Sequence, residues 1–313
     1  MGGDSMEKLK ITRLYMTQSP CYTSSKRIVP SGIVVHSTGA NNPKIKRYVQ
    51  PDDGVIGVNA NGNHWNKPSA TKGVHAFIGK TDKGDVRVYQ VLPWNRRAWG
   101  VASGSKGSYN DTHVQFEICE DNLNDSAYYH EVFDLAAKLC AYLCDQYGIG
   151  VADVVGHYEA AKLGYANDHV DPSNWMPNHG DSMDNFRDRV LELIGDVAVE
   201  FVDVKPLLQR GDADEAVTEL QNRLLELGYG LPQYGADGDF GAETEKAVRK
   251  FQTDYGLTAD GVVGTQTWSA LDNATAIERI TYKVTINNLS KDTADEIVRK
   301  YGGVSEKSNK GGD

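Results

Sequence analysis

The sequence has few cysteines, fewer bases than acids, and no long apolar run, and each shortage removes a class of protein. Four cysteines in 313 residues are too few to staple a chain of this length as a disulfide framework. Cys140 and Cys144 lie one helical turn apart. With no second pair at metal-type spacing, they read as small buried apolar side chains. Lys and Arg number 33 against 43 Asp and Glu, a formal net charge of −10. Phosphate binding relies on cations that release counterions, so nucleic acid is not an expected partner. The same balance gives no electrostatic steering towards an anionic surface, and attachment to one would have to be short-range and specific. No stretch is long and apolar enough to span a bilayer, so membrane insertion is not expected. The N-terminal Met-Gly-Gly-Asp-Ser-Met-Glu-Lys-Leu-Lys has no apolar core behind its charges, and the expectation is a chain without a secretory signal.

The chain is long enough for two or three domains. Residues 1–197 read as mixed α/β. Ile33–Val35, Val86–Leu92 and Val114–Ile118 are apolar, β-branched strand patterns, and Val151–Val155 is a weaker one. Tyr128–Tyr147 places Val132, Phe133, Leu135, Ala136, Leu139, Cys140 and Leu143 at helical spacing. A second helix is predicted from Met183 to Ile194, with Asp181 or Ser182 as its N-cap. The Gly- and Asn-rich stretches 54–69 and 100–110 are long polar loops, the kind that carry binding function on a rigid scaffold.

A linker is expected over 198–205, followed by a helical module over 206–273. Its first helix carries Val217, Leu220, Leu224, Leu225 and Leu227 and stops at Gly228. An internal repeat follows. Asp237-Gly-Asp-Phe-Gly-Ala-Glu-Thr recurs as Asp260-Gly-Val-Val-Gly-Thr-Gln-Thr, each a D-G-x-x-G turn leading into a helix. These features predict a small three-helix unit with Phe240, Phe251, Leu257, Val263 and Trp268 in its core. Residues 274–313 read as a short β-α tail, with a strand over Ile280–Ile286, a helix over Thr293–Tyr301 and a polar, disordered end.

Chemistry concentrates in two segments, G-I-V-V-H-S-T-G-A with His36, and G-H-Y-E-A…N-D-H-V-D-P with His157, His169 and Asp171. His36 and His157 each close an apolar run. Ligand sites in α/β sheets gather beyond the carboxyl ends of strands, so both imidazoles are positioned to enter one crevice. His169 and Asp171 are separated by one residue, which puts both side chains on the same side of an extended segment; Pro172 favours that conformation. Three imidazoles and a carboxylate can supply the three protein ligands of a catalytic zinc ion, whose fourth position is left to water. Glu117 shares a strand face with residues 113, 115 and 119, opposite the apolar 114, 116 and 118.

V-V-H-S-T, F-E-I-C-E, G-H-Y-E-A and H-V-D-P, in this order, resemble the type 2 N-acetylmuramoyl-L-alanine amidases, a family that includes phage endolysins, bacterial autolysins and peptidoglycan-recognition proteins. The resemblance covers Ile33 to Arg189. It implies an α/β fold with a mixed central sheet flanked by helices, and a zinc-dependent hydrolase of bacterial peptidoglycan. His36, His157 and Asp171 match the Zn2+ ligands, Glu117 the general base, and His169 a position, usually lysine, that stabilises the oxyanion. That replacement, with a longer segment between His157 and Asp171, leaves His169 as the alternative third ligand. Asp171 is favoured because the family places a carboxylate or thiolate here, before Pro or Gly. His75, in G-V-H-A-F, resembles a strand residue facing the substrate groove, and Trp94 and Trp99 fit a wall contacting sugar or peptide. His64, His113, His130 and His179 are read as non-ligands.

Leu207–Leu271 resembles the type 1 peptidoglycan-binding domains, through L-L-Q-R-G-D, V-T-E-L-Q-N-R-L-L-E-L-G-Y and both D-G-x-x-G segments. A catalytic domain followed by a wall binder, without a predicted export signal, is the endolysin arrangement. It implies residence in the host cytoplasm until release and action at the cell wall. Two other functions fit parts of the pattern. A non-catalytic recognition protein would lack a zinc ligand, whereas every candidate is present. A stem-peptide endopeptidase would need a different pair of metal motifs, which the sequence lacks.

Overall fold

A strand covered on both faces must be apolar almost throughout, and Gly32–Ser37 is such a strand, buried along its whole length. The computed structural model describes residues 7–121, 125–203, 205–213 and 215–281. In it, strands β1 (Glu7–Arg13), β2 (Gly32–Ser37), β3 (Ala76–Lys80), β4 (Val86–Gln90), β5 (His113–Ile118), β6 (Val154–Gly156) and β7 (Val197–Asp203) form one sheet. Its order is β6-β2-β5-β3-β4-β1-β7. Only β3 and β4 pair antiparallel; the other pairs are parallel. The fold is therefore the expected α/β class with a mixed central sheet.

The helices are α1 (Pro20–Thr23), α2 (Ser126–Tyr147), α3 (His157–Leu163), α4 (Met183–Leu193), α5 (Glu215–Glu226), α6 (Ala242–Asp254) and α7 (Thr265–Thr281). Helices α2 and α4 cover one face of the sheet. Val132, Ala136, Leu139, Cys140, Leu143 and Cys144 of α2 pack with Phe186 and Val190 of α4 on Ile33, Val35, Val114, Phe116 and Ile118. Both cysteine thiols are thus core groups, as their spacing suggested. Ser182 caps α4 by accepting from the Asn185 amide. Long loops cover the opposite face: Ile45, Tyr48, Ile56 and Trp65 bury Phe77, Tyr89 and Cys119. This cover buries Cys119, while on the same polar face His113 is stacked by Tyr109 at 3.7 Å and Gln115 is held by Asn110.

Two expectations about boundaries are corrected. Residues 198–203, predicted as linker, belong to β7, which pairs with β1 along its length. The alternating Val197, Val199 and Phe201 pack against the core, and this pairing makes the segment a strand. The predicted strand from Ile280 begins inside a helix, because α7 runs on to Thr281. The intervening Ala274-Thr-Ala-Ile-Glu-Arg contains good helix formers that extend the preceding turns. The rest of that strand and the tail helix lie outside the described residues. Among the described residues no helix is long and apolar enough to cross a membrane.

Helices α5, α6 and α7 form the predicted three-helix unit around Val217, Leu220, Leu224, Phe240, Phe251, Val263 and Trp268, with Leu257 at its edge. Leu225 of α5 is exposed. The repeat has a physical basis in two glutamines. Gln221 accepts from the Gly238 amide at 2.8 Å and donates to Asp237 Oδ1, the Asp239 carbonyl and Thr244 Oγ1. Gln252 accepts from the Gly261 amide at 2.9 Å and donates to Asp260 Oδ1, the Val262 carbonyl and Thr267 Oγ1. Gly238 and Gly261 hold φ of 81° and 72°, a left-handed conformation that disfavours any residue with a Cβ. Each buried amide thus clips one turn to the helix before it.

Candidate metal centre

The carboxyl ends of β2, β5 and β6 converge on one cleft of about 680 Å³. On β2, Ile33 and Val35 face the helices, which puts Val34 and His36 on the loop-covered side. His36 stands opposite Glu117 of β5 in register. His157 opens α3 directly after β6. That junction is tightly fixed: the Gly156 amide donates to Glu159 Oε2 at 2.9 Å, and Arg187 of α4 binds both the Val154 carbonyl and Glu159. A Cβ on Gly156 would come within 2.9 Å of Pro172 Cδ, so the close approach of the Asp171 loop requires glycine here. The Tyr158 amide donates to the Asp171 carbonyl at 3.1 Å and completes the junction.

The result brings His36, His157 and Asp171 together, all buried, with one ligand atom from each within 4.8 Å of the others. His36 Nδ1 lies 3.1 Å from Asp171 Oδ2 and 3.2 Å from His157 Nδ1. His157 Nδ1 lies 3.3 Å from Asp171 Oδ1. The Ser37 amide donates to Asp171 Oδ2 at 3.3 Å. Burial opposes ionisation of Asp171, but the His157 and His36 rings beside it outweigh burial and hold the carboxyl well below its ordinary range.

Both imidazoles turn Nδ1 inward and are anchored through Nε2. His36 Nε2 is 3.1 Å from Gln115 Oε1, and His157 Nε2 is 3.1 Å from Asn167 Oδ1. Two nitrogens and a carboxylate oxygen on one centre are a donor set suited to a divalent ion, and these three residues could hold a metal ion.

His169 stands apart from the three. Its Nδ1 contacts Asp171 Oδ1, its ring stacks on His157 at 4.7 Å, and its side chain is 55% exposed at the cleft. Glu117 lines the same cleft, and its Oε2 is shielded from solvent with no hydrogen-bond partner among the described residues. Burial pushes its carboxyl up to about 8, and the Asp171 charge adds to this; the Lys72 ammonium pulls the other way.

Two of the three predicted groove residues lie elsewhere. His75 is fully buried; it accepts from the Gln115 amide at 3.0 Å and donates to the Arg96 carbonyl at 2.8 Å. Burial pushes its pKa down to about 4. Trp94 is also buried, in the main core under the sheet, and its ring stacks near His75. His75, just before β3, is turned into the protein, where both ring nitrogens find backbone partners. Trp99 does line the cleft, joined by Trp65 from the first long polar loop and by Arg47 and Lys72, which flank that loop in sequence. Lys72 sits 5.0 Å over the Trp65 ring. Sequence reasoning missed Gln115, Asn167 and Trp65. For the first two a signal existed, since Gln115 shares Glu117's strand face and Asn167 lies in the His169 motif.

Residues 25–174 match the family model of N-acetylmuramoyl-L-alanine amidases, and residues 213–271 that of a peptidoglycan binding domain. A Bacillus licheniformis protein described as a probable N-acetylmuramoyl-L-alanine amidase is 34% identical over 180 residues, covering 55% of this chain and 48% of the relative. The N-acetylmuramoyl-L-alanine amidase CwlL of the same organism is 30% identical over 213 residues, covering 63% and 55%. The chain thus spans about half the length of these curated relatives. The crystal structure of Staphylococcus aureus hydrolase AmiA in complex with its ligand is similar at 21% identity over 62% of this chain and 90% of that one, with a TM-score of 0.43.

Proposed function

We propose that this chain, whose residues 25–174 match the N-acetylmuramoyl-L-alanine amidase family model and whose residues 213–271 match that of a peptidoglycan binding domain, hydrolyses bacterial peptidoglycan. The bond cut is the amide between the lactyl group of N-acetylmuramic acid and L-alanine of the stem peptide. The observation that carries this reading is the convergence of His36, His157 and Asp171 in a cleft that also holds the unpartnered Glu117 carboxylate.

The ion we assign to the three ligands is Zn2+, because two imidazoles and one carboxylate match the ligand types and number of catalytic zinc. When bound, zinc supplies Lewis acidity to a carbonyl oxygen and lowers the pKa of a water molecule towards roughly 7. Glu117 is held towards its protonated form in the metal-free chain, and the charge of a bound ion would favour its carboxylate, which takes a proton from the attacking water as the oxygen adds to the carbonyl carbon. It then returns that proton to the nitrogen as the C–N bond breaks, leaving a lactyl carboxylic acid and the alanine amine, and the acid's proton passes to the amine or to solvent. A buried carboxylate with no competing hydrogen bond suits this shuttle. His169, at the rim with Nδ1 turned to Asp171, stabilises the oxyanion through its other nitrogen in the imidazolium form, in which both nitrogens donate. Trp99 and Trp65 give flat walls for the glycan or peptide.

The helical module holds the enzyme on its insoluble substrate. Tethering raises the local concentration of cleavable bonds, so modest affinity suffices. The test is digestion of purified walls. New N-terminal alanine without new reducing sugar ends is expected, and this product should be lost in His36→Ala and Glu117→Ala while wall pull-down persists. Release of other amino termini would identify a stem-peptide peptidase instead.

A further inference from the structure

The donor set works only if both imidazoles keep their Nδ1 lone pairs free, and the structure shows what enforces this. A neutral imidazole carries one proton, and the hydrogen bond made by one nitrogen decides which nitrogen is left as ligand. At His36 the deciding atom is Gln115 Oε1, 3.1 Å from Nε2. An amide could in principle turn its NH2 to the ring instead, but neighbours fix its orientation. Gln115 Nε2 donates to Asn110 Oδ1 at 2.9 Å, and that oxygen is fixed as an acceptor by the Val101 amide at 3.1 Å. Asn110 Nδ2 in turn donates to the Val101 carbonyl. Gln115 therefore presents oxygen to His36, and Nε2 must carry the proton. Gly100 leaves room for that oxygen, since a Cβ there would lie 2.2 Å from it. At His157, Asn167 Oδ1 receives the Ala102 amide at 3.1 Å and so also faces Nε2 as an acceptor.

We infer that Gln115, locked by Asn110, is a positioning residue that sets the His36 tautomer for metal binding, with Asn167 doing the same for His157. The inference rests on the zinc reading above. The two positions differ in weight. Gln115 is fully buried, so no water can replace its oxygen. Asn167 is exposed, and water can take over much of its role.

The test measures zinc affinity of the full-length protein by chelator competition, alongside the stability of the metal-free form. Gln115→Met keeps the shape but has no comparable acceptor. Gln115→Glu keeps the acceptor. Both lose the donor to Asn110, so both should reduce metal-free stability. Their affinities should separate: Gln115→Met weakens zinc roughly 10–100-fold, while Gln115→Glu stays within about threefold of the parent. Asn167→Leu should weaken zinc by less than Gln115→Met. A residue that only packs would move the two Gln115 variants together, and equal affinities would overturn the inference. Failure of the unmodified protein to bind zinc would instead overturn the metal reading, and this inference with it.

Discussion

His36 and Glu117 are register partners on adjacent parallel strands, β2 and β5. A candidate ligand and the candidate base are therefore fixed by sheet hydrogen bonds, not by loops. The arrangement has a cost, because the carboxyl is held in a site that favours its protonated form, with a pKa pushed up to about 8 by burial first and the Asp171 charge second. A group whose folded pKa is raised contributes its full stability below the unfolded value and loses it as pH rises through the folded one. Glu117→Gln does not titrate. In chelator-treated protein its stability advantage should be small near pH 4.5 and grow towards pH 8, reaching about 1–2 kcal/mol after allowance for solvent at the cleft. Urea denaturation across this range measures it, and a gap independent of pH would contradict the assignment. Activity should fall by about 10²–10⁴-fold in the same variant.

Removing metal should lower both activity and melting temperature. An ion that binds only the folded chain adds about 4 kcal/mol at a thousandfold excess over its dissociation constant. Calorimetric scans with chelator and with added zinc should differ by several degrees for the parent chain. No such difference should remain in His36→Ala. A persistent zinc effect in that variant would place the ion elsewhere.

Acid should destabilise the catalytic domain through two histidines that have no part in the proposed chemistry. Burial pushes both His75 and His113 down to about 4. The unfolded chain binds their protons below roughly pH 6.5 and the folded one does not. Stability is therefore fully present above pH 6.5 and falls as pH drops towards 4, by up to roughly 3 kcal/mol per histidine. Denaturant titrations at pH 7 and pH 4.5 should show the loss, and a phenylalanine at position 113 should reduce it.

The parts of the fold that could be read from sequence were those whose burial is local. The runs at Ile33–Val35 and Val114–Ile118 and the helical spacing of α2 stand alone as patterns, and they are observed as strands and helix. Strand β7 reads as linker in the sequence because its neighbours do not mark it; what makes it a strand is pairing with β1, far away in the chain. The metal triad was legible because each ligand sits at the polar end of an apolar run. His75 and Trp94 were misplaced for the opposite reason. An imidazole or indole suits a groove or a core equally well, and only backbone partners such as the Arg96 carbonyl decide between them.

That distinction predicts a contrast between two tryptophans. Trp94 lies buried in the main core, and its truncation to alanine should cost about 3–5 kcal/mol of stability. Trp99 lines the cleft. Trp99→Ala should leave the melting temperature within a few degrees and raise KM for wall fragments. Thermal scans beside steady-state kinetics separate the two, and unchanged kinetics in Trp99→Ala would remove it from the substrate wall.

The glutamine clips predict how the binding module fails. Gln221 and Gln252 are both about 1% exposed, so removing either side chain strands a glycine amide and an aspartate-led turn without their partner. A buried donor or acceptor left unmade costs about 1–3 kcal/mol, and each glutamine serves several. Gln221→Leu or Gln252→Leu should therefore unfold or loosen the module around α5 and α6. The α/β domain has its own core and its own sheet, so the proposed hydrolysis of a short soluble muropeptide should persist. Binding to intact walls should be lost together with the helical signal of the module. If either variant instead kept wall binding at parental strength, the two turns would not be the elements that hold the three helices together.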